Sequence, residues 1–449
     1  MNNSKRHRSP VHVVYGGADR FSANTPEKLG RIAIGSLEAY AHDFVEFARV
    51  FALDGSDQLP HWPGAVAELA SHAQQAPEDL KRDNFSAWYA WSVHRKTLEK
   101  LQIEPVEDFR IDFEDGYGFR SDEEEDGHAE SASNELASAF AKGSTTPFSG
   151  FRVKSFGRET YDRAVRTLDI FLENLLKQTE NRLPPNFVVT LPKVIGPDQV
   201  TDLCSRLSDV EKEYGLPASS IGVELMIETP ESIIRPDGRI GVRGLVDAAE
   251  GRCTSVHFGA YDYTGALGVS ASFQDIRHPA CDFARHVIQA ALAGSSVRLV
   301  DSVTTEMPVP IHKGDILTEH QLAENKAAMY GGWLQHFRNA TASMAAGFYQ
   351  SWDLHPNQLV ARYAAVYAFF LREFDSQAAR LRRCIEKSTQ ATLTGNTFDD
   401  AASVAGLVNF FERGIGCGAF SEEEVVTASG ASMDDLSRQF RPNSGSKGP

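Results

Sequence analysis

Apolar and polar positions alternate along this chain in short bursts, each followed by a stretch with helical spacing. The clearest burst is Phe109-Arg-Ile-Asp-Phe-Glu-Asp-Gly-Tyr117. Phe109, Ile111 and Phe113 fall on one face of a strand, and Arg110, Asp112 and Glu114 on the other. An apolar outer face suits a covering layer of helices. A charged inner face is costly to bury unless its charges are paired or used. Similar runs occur at Val11–Tyr15, Phe151–Lys154, Phe187–Lys193, Ile221–Glu228, Thr254–Gly259, Val297–Asp301 and Gly347–Trp352. Between them the spacing predicts helices over Pro26–Phe51, Glu130–Lys142, Glu159–Glu180, Asp198–Tyr214, His278–Ala293, Glu319–Ala345 and Asn357–Glu373. The acidic run Asp122–Asp126 reads as a solvated helix start rather than a calcium site.

Strands alternating with helices predict an α/β fold, a (β/α)8 TIM barrel closed by right-handed crossovers. An open doubly wound sheet is the rival, but no G-x-G-x-x-G run follows the first strand. The barrel is expected over residues 11–374, with a helical insertion at about 54–104 marked by Pro60, Pro63 and Pro77. A C-terminal helical appendage is expected over 375–436, with a break at Thr392–Asn396 and a cap at Thr397. Residues 1–10 and the apolar-poor tail 437–449 are expected to be disordered.

Composition narrows the function more than the fold. The net charge of -16 over 449 residues, with pI near 5.4, leaves no basic surface to neutralise phosphates and excludes a nucleic-acid partner. No apolar run is long enough for a membrane span, and the basic N-terminus lacks the apolar core of a secretory signal. Cys204, Cys253, Cys281, Cys384 and Cys417 are odd in number and unclustered, so they read as reduced thiols of a cytoplasmic protein.

The predicted strands end in, or run into, polar groups: Glu114 and Asp115, Arg152, Lys193, Glu228, Asp262, Asp301 and His355. In a barrel those ends share the rim where active sites are built. Glu228 and Asp262, on neighbouring strands, form an oxygen pair suited to magnesium, which keeps waters and shares its octahedron with a bound anion. Their bland alternatives are capping a loop amide and capping the next turn. Arg152 points inward if Phe151 and Val153 point outward. There it can hold a carboxylate bidentately or pair with Asp112 or Glu114. Lys193 reads as an anion-steering lysine, with a Schiff-base nucleophile as the less favoured use. His355 reads as a loop fixer or substrate contact, and His257 as a satisfied core histidine.

Asp112-Phe-Glu-Asp115, Phe151-Arg-Val-Lys154, Leu191-Pro-Lys-Val194, Ile227-Glu-Thr-Pro230, Phe258-Gly-Ala-Tyr-Asp-Tyr263 and His355-Pro-Asn-Gln358 occur in that order. This series resembles the signature blocks of the citrate lyase beta subunit, malyl-CoA lyase and HpcH/HpaI aldolase superfamily, the phosphoenolpyruvate/pyruvate-domain barrels, in a longer branch. The resemblance spans roughly residues 105–370. It implies a carbon–carbon lyase or aldolase dependent on Mg2+, or Mn2+ in its place, acting on a 2-oxo acid or acyl-CoA-type carboxylic acid through a stabilised enolate. It implies Glu228 and Asp262 as metal ligands, and Arg152 with Glu114 and Asp115 as the catalytic group. Arg152, Lys193 and His355 are then the substrate-binding set. Asp115 stands where the oxo-acid aldolases carry histidine, and Lys154 where asparagine is usual in citrate lyase-like members. The histidine-base mechanism and the thioester surface are therefore not carried over. A small carboxylic acid is the expected partner, with a CoA thioester as one candidate. A trimeric or hexameric homo-oligomer is also implied. The rival readings are phosphoryl transfer or hydrolysis on the same barrel, and a non-catalytic scaffold with a degenerate site.

Overall fold

The computed structural model describes residues 8–394, 401–430 and 432. The expected cap at Thr397, the tail 437–449 and most of the N-terminal stretch 1–10 lie outside the described residues. The strands are β1 (His12–Gly17), β2 (Asp108–Asp112), β3 (Phe148–Arg152), β4 (Phe187–Leu191), β5 (Gly222–Ile227), β6 (Cys253–Phe258), β7 (Arg298–Val303) and β8 (Gln350–Asp353). They pair in parallel in sequence order, and β8 returns to β1, so the barrel is closed as expected. No helix among the described residues is long and apolar enough to cross a membrane.

Residues His12–Ser36 and Leu101–Val360 form one compact unit, which contains the barrel. The outward faces of β2 and β3 are aromatic. Phe151 stacks on Phe171 of the helix Tyr161–Gln178 with ring centroids 4.1 Å apart, and Phe113 meets both rings edge-on. Leu168, Leu172, Leu175 and Leu176 extend that helix's buried stripe.

The inward faces carry charge, as the alternation in β2 requires. Arg110 reaches across the lumen from β2 to the non-adjacent β5. Its Nε and Nη2 donate to the two oxygens of Glu224 at 2.7 Å each, and it also bonds Asp108. Glu224 accepts further bonds from Thr190 Oγ1 at 2.9 Å and Ser255 Oγ at 2.6 Å. Arg110 and Glu224 are fully buried. Desolvating these ions is tolerable only because each finds several charge-assisted partners. Above them Val13, Tyr15, Met226, Val300 and Trp352 pack as an apolar layer.

The second unit comprises residues 8–11, Leu37–Lys100 and the described residues from Ala361 onward. The spacing-based helix over Pro26–Phe51 is broken in the structure into Thr25–Tyr40 and Phe44–Val50. The break comes where Asp43 accepts the amide hydrogens of Val45 and Glu46 as an N-cap. Helices follow at Pro63–Gln75, Pro77–Asp83 and Phe85–Ile103. The helix from Gln358 runs to Thr394, well past its expected end at Glu373. Phe374, Phe411 and Phe420 pack together in this unit. His94 sits edge-on to Phe47 at 5.1 Å. Burial pushes its imidazole down to about 4, against a weaker opposing pull from Asp43.

Two stability outcomes follow from these interiors. Arg110→Met leaves Glu224 and Asp108 charged in a dry lumen and should cost about 3–5 kcal/mol in urea unfolding. Adding Glu224→Gln should restore part of that loss, and full additivity of the two changes would contradict the pairing. His94 is neutral when folded, so its contribution is intact above the unfolded value of 6.5 and is lost as pH falls toward 4. His94→Gln should therefore flatten the acid-side loss in that window by up to roughly 3 kcal/mol. An unchanged pH dependence of the melting temperature would refute it.

Candidate active site

The site is built where β2, β3, β4, β5 and β6 end. Asp112 and Arg152 are partners in the register of β2 and β3. Arg152 Nε and Nη2 donate to the two carboxylate oxygens of Asp112 at 2.6 Å each. The same oxygens accept the amides of Glu114 at 3.0 Å and Gly116 at 2.7 Å. Asp112 thus fixes the guanidinium and folds the following loop at once. Gly116 is required for the close approach, since a Cβ there would lie 2.5 Å from Asp112 Oδ2. Arg152 Nη1 lies 3.0 Å from Glu114 Oε2 and donates to Met226 Sδ at 3.4 Å. The ring of Tyr15 faces the guanidinium carbon at 4.9 Å. Arg152 therefore does point inward, and it pairs with both acids weighed as partners.

Lys193 connects three strand ends. Its backbone is in the left-handed region at φ 52°, an uncommon state for a side-chain-bearing residue. That turn aims its amide at Glu228 Oε1, 2.6 Å away, and its ammonium at Glu114 and at Asp115, 3.0 Å away. Burial works against the ammonium charge, but Glu114 and then Asp115 outweigh it and hold the amine above its usual range. An amine held protonated is not a Schiff-base nucleophile. For Asp115 burial is again outweighed, here by Arg152 and Lys193, and the carboxyl is held below its usual range. For Glu114 burial prevails over Arg152 and Lys193 and the carboxyl is raised.

Glu228 follows β5 and is buried, while Asp262 is exposed in the first turn of the helix Ala260–Ala266, just past β6. Burial, then the charges of Asp262 and Glu114, push the Glu228 carboxyl up to about 8. Gly259 makes room for it: a Cβ there would sit 2.6 Å from Glu228 Oε2. Asp112, Glu114, Asp115, Glu228 and Asp262 outnumber Arg152 and Lys193, and burial together with this crowding of acids makes Glu228 resist ionising. Among the described residues no group of three or more His, Cys, Asp or Glu side chains is arranged to hold a metal. Two oxygen donors with surplus charge fit a hard divalent cation that keeps several waters, rather than a caged transition metal.

His355 is lowered by burial, and its Nδ1 accepts the amide of Asn357 at 3.1 Å. Asn357 and Gln358 donate to the carbonyls of Pro308 at 2.7 Å and Thr304 at 2.8 Å, so this block clamps the loops after β7 and β8 together. His355 also lines a cavity of about 310 Å³ with Tyr15, Gly17, Arg20, Phe21 and Lys28. Asp301 is not at the rim as its place in the sequence suggested. It is paired with Arg285 at 3.0 Å and with Ser343, away from the mouth. Lys154 is likewise committed, to Phe113 O at 2.7 Å and Glu125 at 2.6 Å. Glu125 is thus buried and paired, unlike a solvated helix start, although Ser121 and Glu124 do form the capping box there. Asp112 was weighed as a partner of Arg152 but not as the anchor of the loop after β2, and nothing in the local sequence pointed to Tyr15 as a neighbour of Arg152.

The family model described as "Domain of unknown function (DUF6986)" matches residues 3–443. No curated protein matches the chain. Among solved structures, a citrate lyase from Burkholderia xenovorans is similar at 19% identity and a TM-score of 0.51, over 75% of this chain and 92% of that one. A malate synthase from Haloferax volcanii, in complex with magnesium and glyoxylate, is similar at 18% identity and a TM-score of 0.43, over 63% of this chain and 71% of that one. The citrate lyase likeness shows a shared barrel fold, the one the signature blocks implied.

The backbone at Lys193 can be tested apart from its ammonium. Lys193→Gly and Lys193→Val both remove the charge, but only glycine takes positive φ freely. The valine variant should be about 1–3 kcal/mol less stable than the glycine variant in urea unfolding. Equal stabilities would rule out a strained turn.

Proposed function

This chain belongs to the DUF6986 family, and we propose that it is a divalent-metal-dependent carbon–carbon lyase or aldolase acting on a 2-oxo acid or a related carboxylic acid. The observation that carries this reading is a buried acid, Glu228, that burial and the neighbouring Asp262 and Glu114 keep from ionising on its own, a penalty a divalent cation would offset, at the same barrel mouth as an arginine clamped by Asp112. Glu228 and Asp262 would hold Mg2+ or Mn2+. When bound, that ion supplies Lewis-acid polarisation of a carbonyl oxygen. Every other role falls to the chain itself. Arg152, pre-set by Asp112, offers Nη1 to an oxygen that gains charge on cleavage, and it does so without reorganising. The thioether of Met226 is a weak acceptor for Nη1, so a substrate oxygen displaces it at little cost.

Proton movement falls to Glu114 and Asp115. Burial raises the Glu114 carboxyl above its usual range, as suits a group that takes up and returns a proton, while Asp115 is the more exposed of the two. Lys193 holds both in place and adds positive charge for an incoming carboxylate.

Calorimetry with Mg2+ and oxalate, a two-carboxylate mimic of an enolised oxo acid, tests the reading. Native protein should bind oxalate only with the metal present. Asp262→Ala should weaken that binding by about 100-fold or more, as expected when one of two metal ligands is lost. Asp262 lies at the surface and partial desolvation holds its carboxyl above its usual range, so its removal should not lower the melting temperature. Full oxalate binding by Asp262→Ala, or by native protein in excess chelator, would overturn the proposal.

A further inference from the structure

The lower and upper charge pairs of the lumen are joined by two residues that carry no part of the chemistry above. Tyr15 on β1 stacks against Trp352 of β8 at 4.7 Å and presents its ring face to the Arg152 guanidinium at 4.9 Å. Its hydroxyl lies 3.1 Å from His257 Nδ1. His257 Nε2 in turn lies 3.1 Å from Ser255 Oγ and 3.3 Å from Glu224 Oε1. The hydrogen directions along this line can be worked out. Ser255 gives its proton to Glu224, so its oxygen is an acceptor toward the imidazole. Nε2 therefore carries a hydrogen. In the neutral ring Nδ1 is then the acceptor and the Tyr15 phenol the donor. Glu224 is itself pinned by two bonds from Arg110.

We propose that Tyr15, oriented by His257, is a positioning residue for Arg152: it sets the plane of the guanidinium and hence where Nη1 points at the barrel mouth. Asp112 grips the Nε–Nη2 edge, which fixes the arginine within its plane. Glu114 and Met226 meet Nη1 at its far end, and the Tyr15 ring is the support against the face itself, where it opposes tilt of the plane. Phenylalanine would fill the same volume with no buried polar atom. The phenol instead brings a group that must find a partner in a dry lumen, and it finds one that is already oriented. The buried hydroxyl–imidazole bond gives the ring one allowed orientation, so that Arg152 is held on its edge and on its face by independent supports.

The oxalate readout rests on the lyase reading, and the structural readout does not. Tyr15→Leu should leave binding of Mg2+ alone unchanged and weaken oxalate binding in its presence by about tenfold, the size of a desolvated cation–π contact. Its crystal structure should show the Arg152 guanidinium tilted away from its native plane. Tyr15→Phe keeps the ring and should recover most of that affinity, and His257→Asn should behave like Tyr15→Phe. If Tyr15→Leu does not fold, Tyr15→Met takes its place. The inference is overturned if Arg152 keeps its native plane in Tyr15→Leu (or Tyr15→Met), or if the plane tilts there and oxalate affinity stays within about twofold, below what a lost cation–π contact predicts. If native protein binds no oxalate with Mg2+, the lyase reading fails, and the position of Arg152 in the variants alone decides the role of Tyr15.

Discussion

A guanidinium inside a dry barrel must be met by carboxylate, and this requirement organises the molecule. β2 and the residues just past it meet most of it. Asp108, Arg110, Asp112 and Glu114 alternate on the inward side, with Phe109, Ile111 and Phe113 between them facing the helices. A slip of one residue would put three phenylalanine and isoleucine side chains into the lumen and four ionic groups into the helix layer. The register of the strand and the neutralisation of the lumen are therefore the same constraint. Arg110 spends its charge deep in the barrel on Asp108 and Glu224. Arg152 spends its own at the mouth on Asp112 and Glu114.

The two ends of the lumen differ in how completely the charges cancel. At the lower end each oxygen of Glu224 has an oriented hydrogen to accept, and the arrangement is finished. At the mouth the acids exceed the bases and are held apart by Lys193, which contacts the ends of β2 through its ammonium and of β5 through its amide. That contrast separates a structural network from a site. Both are ionic, but only the mouth holds more acids than bases, the imbalance on which the proposed cation and carboxylate binding rests.

Much of this was legible in the chain before any coordinates. Alternation identified β2, and the polar groups past the strand ends marked the mouth. The helix Glu319–Ala345 has the bounds its spacing predicted because Thr318 and Gln321 form a reciprocal cap. The failures have physical causes too. β3 begins at Phe148 rather than Phe151 because Gly150 has no side chain to show the alternation, and it cannot have one: a Cβ would meet Val188 O at 2.1 Å. Asp301 was misplaced because a strand residue's facing depends on a register that one short apolar run does not define. The Tyr15–His257 bond joins residues 242 positions apart, and no local pattern encodes it.

Gly259 gives the site an unusual dependence on a single hydrogen atom. The space that an alanine methyl would fill is where the Glu228 carboxylate lies. A related chain that retains each acidic and basic group of the mouth but carries a methyl here would have its glutamate swung aside. Under the proposed function, sorting competent from silent relatives turns less on counting carboxylates than on whether this residue still lacks a side chain.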